Sequence, residues 1–110
     1  MTHNDYFKPG TNAKIDRIVE GLKEVYDPEI PTNIYDLGLI YNIKLMGENA
    51  CHITMTLTSA FCPVGDELVE DVRRAAGRVC GDKVDVELVF EPPWSVDSIS
   101  EHVRLEMGIL

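Results

Sequence analysis

The stretch CHITMTLTSAFCP, residues 51–63, decides how this chain folds. Apolar and polar side chains alternate from Cys51 to Thr58, which predicts a strand with one buried face. Pro63 then suits the first position of a helix, because its φ angle is already helical and its missing N–H would lack a partner there. We therefore predict a strand that leads directly into a helix, with Cys62 at or beside the helix N-cap.

The segment before this stretch predicts a helix and another strand. Thr11 or Asn12 can cap the helix, and Asp27-Pro28 stops it. Its apolar side chains recur at i, i+3, i+4 and i+7, namely Ile15, Ile18, Val19, Leu22 and Val25. Residues 39–45 predict a strand that pairs with residues 51–58 as an antiparallel hairpin, because a short glycine-containing turn joins them. The first strand is predicted to turn Leu39, Tyr41, Ile43 and Leu45 inward, and the second to turn His52, Thr54, Thr56 and Thr58 outward.

The segment after this stretch predicts a helix, a third strand and a short final helix. The helix covers about residues 63–79 and the strand residues 84–90, with Gly81 as a helix C-cap between them. Ser98 and Glu101 have capping-box spacing at the start of the final helix. The side chains predicted to be buried are Val64, Leu68, Val72, Ala75, Val79, Val84, Val86, Leu88 and Phe90.

This order of elements, α-β-β-α-β-α, predicts the fold class. We expect an α/β (α+β) two-layer domain in which a small mixed three-stranded sheet is covered by helices on one face. Residues 1–11 are interpreted as a flexible leader that ends after Pro9-Gly10, and residues 12–110 as a single domain.

Composition excludes several classes of function. The chain has 110 residues, and its 19 acidic and 10 basic side chains give a net charge of −9. A nucleic-acid partner is therefore not expected, because no basic stripe is visible, and neither is attraction to an anionic membrane. No apolar segment resembles a signal peptide or a spanning helix, so we expect a cytoplasmic protein. Its three cysteines lack CxxC spacing, which argues against a disulfide framework and a closed zinc site.

Cys62 is the main candidate for chemistry. At a helix N-cap its sulfur faces free backbone N–H groups and the positive end of the helix dipole. Both stabilise a thiolate, which is the form that attacks electrophiles or binds metal. Cys51 lies on the apolar face of its strand and Cys80 at the end of a helix, so both are interpreted as structural.

Two carboxylates flank Pro28 just after the first helix. Asp27 can form an Asx-type turn while Glu29 is solvated. Alternatively, one or both are held near Cys62 as a base or an oxygen ligand. Sequence spacing does not decide between these readings.

Two further segments contain candidate residues. Gly38 is predicted to supply a positive φ or a close backbone approach, and Asp36 to cap a turn or line a pocket. Trp94 follows Pro92-Pro93. It either packs over the end of the sheet, or it binds a partner or covers a site. If the second and third strands are parallel, Cys62 and Trp94 follow strand ends at the same sheet edge.

Several of these motifs together resemble one family. They are Asp27-Pro28-Glu29-Ile30-Pro31, Tyr35-Asp36-Leu37-Gly38-Leu39-Ile40-Tyr41, Thr56-Leu57-Thr58, Cys62-Pro63 and Pro92-Pro93-Trp94. In this order they resemble the SufT/PaaD-like metal–sulfur cluster assembly family, related to the eukaryotic cytosolic iron–sulfur targeting factors. The resemblance covers roughly residues 12–110 and implies a small α/β domain that helps to mature iron–sulfur clusters. It implies that Cys62 is the reactive cysteine and that Asp27 and Glu29 form the acidic motif. The matching motifs also contain Asp36, Thr58, Pro63 and Trp94.

The resemblance also implies a cargo and partners. An iron–sulfur cluster usually needs four ligands, mostly thiolates. With one well-placed cysteine per chain, a cluster would be transient, and its other ligands would come from Cys62 of a second chain, from external thiols or from a client protein. The expected partners are apo iron–sulfur client proteins, other cluster-assembly proteins and a second copy in a homodimer. Two alternatives stay open: an adaptor that docks clients without chemistry, and a cysteine-dependent enzyme with Asp27 or Glu29 as base.

Overall fold

The computed structural model of this protein describes residues 12–27, 32–58, 65–81 and 83–108. Helix α1 spans Ala13–Leu22. Its N-cap is Asn12, whose side-chain oxygen accepts hydrogen bonds from the backbone N–H groups of Lys14 (2.8 Å) and Ile15 (3.2 Å). One of the two predicted caps is therefore confirmed, although the helix ends three residues before Val25.

The described strands form one mixed sheet, as predicted. Strand β1 (Ile40–Leu45) is antiparallel to β2 (Ala50–Met55), and β2 is parallel to β3 (Lys83–Leu88). The order across the sheet is β1-β2-β3. The second strand is thus central, and its inward side chains Cys51, Ile53 and Met55 are buried.

Helices cover one face of this sheet. Helix α2 (Gly65–Cys80) packs against α1 and β3 and buries Leu68, Val72 and Ala75 as predicted, whereas Val64 lies outside the described residues. A 3₁₀ turn at Val96–Ser98 and helix α3 (Glu101–Met107) complete the described elements. No helix in the described part of the chain is long and apolar enough to cross a membrane.

The predicted inner face of β1 is wrong at Tyr41. Ile40 lies opposite Met55 and Asn42 opposite Thr54, so Tyr41 is an extra residue in a β-bulge. A bulge shifts the alternation of side chains by one position. Ile40 is therefore buried together with Ile43, while Tyr41 is only half-buried.

Thr56 is buried, although it was predicted to point outward. The strand ends at Met55, so the alternation of side chains no longer applies to the next residue. The backbone N–H of Thr56 donates to the carbonyl of Leu39 (2.8 Å), and the hydroxyl donates to the carbonyl of Leu57 (3.5 Å).

Two predictions about the last third of the chain are also wrong. The N-cap of α3 is Ser100 and not Ser98, which belongs to the 3₁₀ turn, so the predicted capping box does not form. Leu88 and Phe90 are 38% and 41% exposed, because β3 is an edge strand with a neighbour on one side only. Gly108 is the C-cap of α3, with the left-handed φ of +76° that favours glycine.

Candidate functional site

The topology brings three connections to one edge of the sheet. Because β2 and β3 are parallel and β1 is antiparallel to both, β1 begins where the other two strands end. Residues 33–39 enter β1 there, residues 56–58 leave β2, and residues 89–94 leave β3. We call this end of the sheet the carboxyl edge. Ligand sites of α/β sheets lie preferentially at such an edge.

A segment that follows β3 holds the carboxyl edge together. The indole N–H of Trp94 donates to the carbonyl of Leu37 (2.7 Å), and the Tyr41 hydroxyl donates to the carbonyl of Pro92 (2.7 Å). The backbone N–H of Ser100 donates to the carbonyl of Asp36 (2.8 Å). We call residues 92–100 the clamp, because these bonds fasten it across the turn that precedes β1.

Gly38 allows the clamp to lie this close. Its φ is +81°, in the left-handed region, and a Cβ added there would lie 2.1 Å from the carbonyl oxygen of Ser98. Both features predicted for Gly38 are therefore present. Ser98 does not cap a helix, because Ile99 after it has an extended backbone, with φ −72° and ψ 138°.

Asp36 is held by a local pair of hydrogen bonds. Its carboxylate accepts from the side-chain amide of Asn33 (2.9 Å), and its backbone N–H donates to the amide oxygen of Asn33 (2.9 Å). The imidazole Nε2 of His102, on α3, lies 3.6 Å from the same carboxylate. Asp36 thus stabilises the turn and joins it to the final helix.

Asp27 lies in a loop that is bonded to the same turn. Only 4% of Asp27 is exposed, and its backbone N–H donates to the carbonyl of Thr32 (3.2 Å). The carbonyl of Val25 accepts from the backbone N–H of Ile34, and the carbonyl of Ile34 accepts from the backbone N–H of Leu39. This buried carboxylate is therefore connected through the backbone to the carboxyl edge.

Three of the predicted site residues lie outside the described residues: Cys62, Glu29 and Pro63. The described ends of the connection that contains Cys62 are Thr58, which is half-buried, and Gly65. Gly65 packs tightly against the end of β2, since a Cβ added there would lie 2.8 Å from Cδ1 of Leu57. Helix α2 therefore begins directly beside the carboxyl edge.

A sequence comparison assigns the family. Residues 15–88 match the sequence profile of a family described as "Iron-sulfur cluster assembly protein". The chain belongs to this iron–sulfur cluster assembly family. The matched range contains Asp27, Glu29, Asp36, Thr58 and Cys62, whereas Trp94 lies beyond it. The resemblance inferred from the motifs is thereby confirmed.

Individual relatives of this family member are similar over most of their length. The chain is 50% identical over 94 residues to an "Fe-S protein maturation auxiliary factor" of Porphyromonas gingivalis, covering 84% of this chain and 90% of that protein. It is 36% identical over 95 residues to the factor of the same description, YitW, of Bacillus subtilis, covering 86% and 93%. A crystal structure of a domain of unknown function, DUF59, from Bacillus anthracis superposes with a TM-score of 0.81 at 32% identity, covering 89% of this chain and 94% of that one.

The other two cysteines of this family member are buried structural thiols. Cys51 is the second residue of β2, at the end opposite the carboxyl edge, and Cys80 is the last residue of α2; they are 1% and 2% exposed. Burial raises the pKa of Cys51 to about 12, and the neighbouring Cys80 thiol adds to this rise. Cys51 therefore stays a neutral thiol at physiological pH.

The described residues do not supply a site for a resident cluster. Among them, no three His, Cys, Asp or Glu side chains are grouped so that they could hold a metal ion. A cluster usually needs four ligands, and the two described thiols are buried among apolar side chains.

Sequence reasoning missed two contributors to the carboxyl edge. Asn33 stands three residues before Asp36, a spacing that predicts an Asx-type turn, so this pair could have been found. The role of Tyr41 had no local signal, since it depends on a bulge set by pairing with β2. Burial raises the pKa of the Tyr41 phenol, although the Thr56 hydroxyl beside it opposes this rise.

Replacing Trp94 with phenylalanine tests the clamp. The ring would keep most of its packing, but the Leu37 carbonyl would lose its donor, so we expect the free energy of unfolding to fall by about 1 kcal/mol. Urea unfolding followed by circular dichroism measures this change. Tyr41→Phe removes a more exposed bond and should cost less than Trp94→Phe. Unchanged stability of Trp94→Phe would show that the indole bond does not fasten the clamp.

Proposed function

We propose that this protein passes iron–sulfur clusters to apo-proteins through Cys62. Its family and the maturation factors it is similar to support a role in cluster maturation. One structural observation carries the assignment to Cys62: the connection that contains it starts and ends beside the carboxyl edge, whereas Cys51 and Cys80 are buried at the far end of the molecule. The positions of the three cysteines therefore support Cys62 as the thiol that takes part in transfer.

In this proposal the cluster is held briefly and by more than one chain. Four ligands are usual, and the proposal assigns one cysteine of each chain, Cys62, to the cluster. The remaining ligands come from Cys62 of a second copy in a homodimer, or from the client that receives the cluster. Ligands that belong to different chains separate readily, which favours transfer over storage.

The other candidate residues support this thiol. The proposal gives Asp27 and Glu29 the role of a base or an oxygen ligand beside Cys62, and it gives Thr58 and Pro63 the role of bounding its connection. Asp36 and Trp94 keep the carboxyl edge in shape through their bonds to Asn33 and Leu37. Apo iron–sulfur proteins and other assembly proteins are the partners, and the reducing cytoplasm is the compartment in which the thiols persist.

Anaerobic reconstitution tests the assignment to Cys62. Wild type and Cys62→Ser are incubated with ferrous iron and sulfide, and bound iron and visible absorption are measured. A second assay measures transfer of the cluster to an apo-ferredoxin. We expect Cys62→Ser to lose about 90% or more of bound iron and transfer, since a serine oxygen is a poor substitute for a thiolate.

Cys80→Ala is the matched control for this experiment. It removes a buried thiol far from the carboxyl edge, so it should bind and transfer as the wild type does. If Cys62→Ser retains full activity in maturing an apo-protein, the protein acts as an adaptor that docks clients. If the wild type shows turnover of a thiol-dependent reaction without iron, it is an enzyme.

A further inference from the structure

Strand β3 leaves one of its two edges unpaired. On its other side, the backbone N–H just after the strand, that of Val89, donates to the carbonyl of Met55 (2.8 Å). Because the backbone groups of a strand point alternately to either side, those of Val84, Val86 and Leu88 point away from β2. Among the described residues no other strand lies there. Such an edge is a template for pairing with another chain.

An apolar row accompanies the unpaired edge. Val84, Val86 and Leu88 lie in register with buried residues of β2 and therefore on the helix side of the sheet, and Phe90 continues the alternation. Val84 and Val86 are only half-buried, whereas Leu88 and Phe90 are exposed. We call these four residues the edge row. An exposed apolar row beside an unpaired edge indicates an interaction surface.

An open cavity of about 380 Å³ lies beside the edge row, between α2 and β3. Gly77 and Val84 line it, and a Cβ added to Gly77 would meet only Cγ2 of Val84, at 3.9 Å, among the described atoms. The cavity is therefore open because Gly77 has no side chain. It is large enough to admit an aromatic side chain from another molecule.

The charged side chains around this cavity do not select a partner of one sign. On α2, Arg73 forms an ion pair with Glu70, and Arg74 pairs with Asp71 at 3.3 Å. A two-fold interface places the same patch on both sides, so it requires a surface that carries both signs. The mixed charges and the edge row together fit a second copy of this chain.

We propose that β3 pairs antiparallel with β3 of a second copy, so that two three-stranded sheets become one continuous sheet. The two-fold axis passes through Glu87. Val86 then lies opposite Leu88 of the second copy, and Val84 lies opposite Phe90 of the second copy. This register covers the whole edge row and brings Phe90 of the second copy beside Val84, at the open cavity.

Charge favours the same register. An axis one residue earlier would place Asp85 opposite Glu87 of the second copy at two positions, and like charges directly opposite destabilise a sheet. The proposed axis leaves one such contact, between the two Glu87 side chains, and the imidazole Nε2 of His52 lies 3.0 Å from that carboxylate. Lys83 comes opposite Glu91 of the second copy, which adds an attraction of opposite charges at each end.

The dimer has a consequence for the ligands of a cluster. The two β3 strands run in opposite directions, so the two carboxyl edges lie on opposite sides of the joined sheet. If the protein passes clusters as proposed above, the client and not the second copy therefore supplies the remaining ligands. The interface itself does not depend on cluster transfer.

Sedimentation equilibrium at rising protein concentration tests the dimer. The mass of the wild type should rise toward twice that of one chain. Leu88→Lys should raise the dissociation constant of the dimer about tenfold or more, because it places a charge in the edge row of both copies. Leu105→Lys is the matched control, since Leu105 is 63% exposed on α3 and the change in charge is the same. It should dimerise as the wild type does.

Disulfide formation tests the register in a Cys62→Ser background. In Glu87→Cys the two new thiols face each other across the axis, with Cα atoms about 4.5–5.5 Å apart, and diamide should link them. Asp85→Cys is the control on the same face of β3. Each residue 85 lies opposite residue 89 of the second copy, about 13 Å along the strand from its own counterpart, so linking should be about tenfold slower or more.

These outcomes decide the proposal. It is wrong if the wild type stays monomeric at every concentration, or if Leu105→Lys weakens the dimer as much as Leu88→Lys. Equal linking of Asp85→Cys and Glu87→Cys would also contradict it. Iron is not measured in either experiment, so failure here is separate from failure of the cluster assay.

Discussion

Gly38→Ala should lower the free energy of unfolding by more than about 3 kcal/mol, which corresponds to a fall in Tm of roughly 12 °C or more for a domain of this size. Two costs add. An L side chain in the left-handed region costs about 1–2 kcal/mol. The new Cβ would also lie 2.1 Å from the Ser98 carbonyl oxygen, a backbone atom that cannot move without lifting the clamp. Urea and thermal unfolding, followed by circular dichroism, measure the sum.

Gly108→Ala separates the two costs. Gly108 has nearly the same φ, +76° against +81°, but among the described residues no neighbouring atom lies within 4 Å of a Cβ built there. It should therefore show the conformational cost alone, about 1 kcal/mol. If Gly38→Ala and Gly108→Ala are equally destabilising, the clamp does not press on Gly38 as the structure indicates. A Gly38→Ala protein that keeps its stability but loses the Trp94 contact would show that the clamp can detach.

The second large effect is selective alkylation of one thiol in three. Native protein at pH 8 should react with iodoacetamide at Cys62 and remain unmodified at Cys51 and Cys80 until denaturant is added. Only the thiolate reacts, and a thiol with a pKa of about 12, against an ordinary 9.0, holds about a thousandfold less thiolate at this pH. Burial slows the reaction further, because Cys51 is 1% exposed. Mass mapping of the alkylated peptides gives the rate at each site.

The dependence of the alkylation rate on pH tests the direction of the pKa shift of Cys51. Because burial disfavours the charged thiolate, labelling of Cys51 should stay negligible as pH rises past 9 and should increase only toward pH 12 or when the fold opens. Cys62→Ser should remove the fast phase completely, and Cys80→Ala should leave it unchanged. Fast labelling of Cys51 in the folded protein would contradict the buried environment described for it, and slow labelling of Cys62 would count against the proposed transfer chemistry.

Local patterns predicted much of this fold. The apolar stripe of α1 follows from helical spacing, and the hairpin of β1 and β2 follows from alternation with a short turn between the strands. Gly38 was recognised because few residues tolerate a positive φ. Such features depend on neighbours in the chain, so the sequence carries their signal directly.

The errors share a different cause. The bulge at Tyr41 depends on the register with β2, and Thr56 lies past the end of β2, where its backbone N–H donates to the carbonyl of Leu39. Ser98 and Glu101 have the spacing of a capping box, but Ile99 is extended and the helix begins only at Glu101. In each case the segment takes part in a contact with residues distant in the chain, which a local pattern does not show.

By itself, the sequence determined the order of elements, the N-cap of α1, the inward face of β2 and the motifs that identify the family. Only the tertiary structure decided that β2 and β3 are parallel, that Trp94 bonds Leu37 across 57 positions, and that Cys51 and Cys80 are neighbouring buried thiols. The physical reason is range: backbone conformation responds to adjacent residues, whereas burial, hydrogen bonding across loops and the ionisation of a thiol depend on atoms brought near by the whole fold.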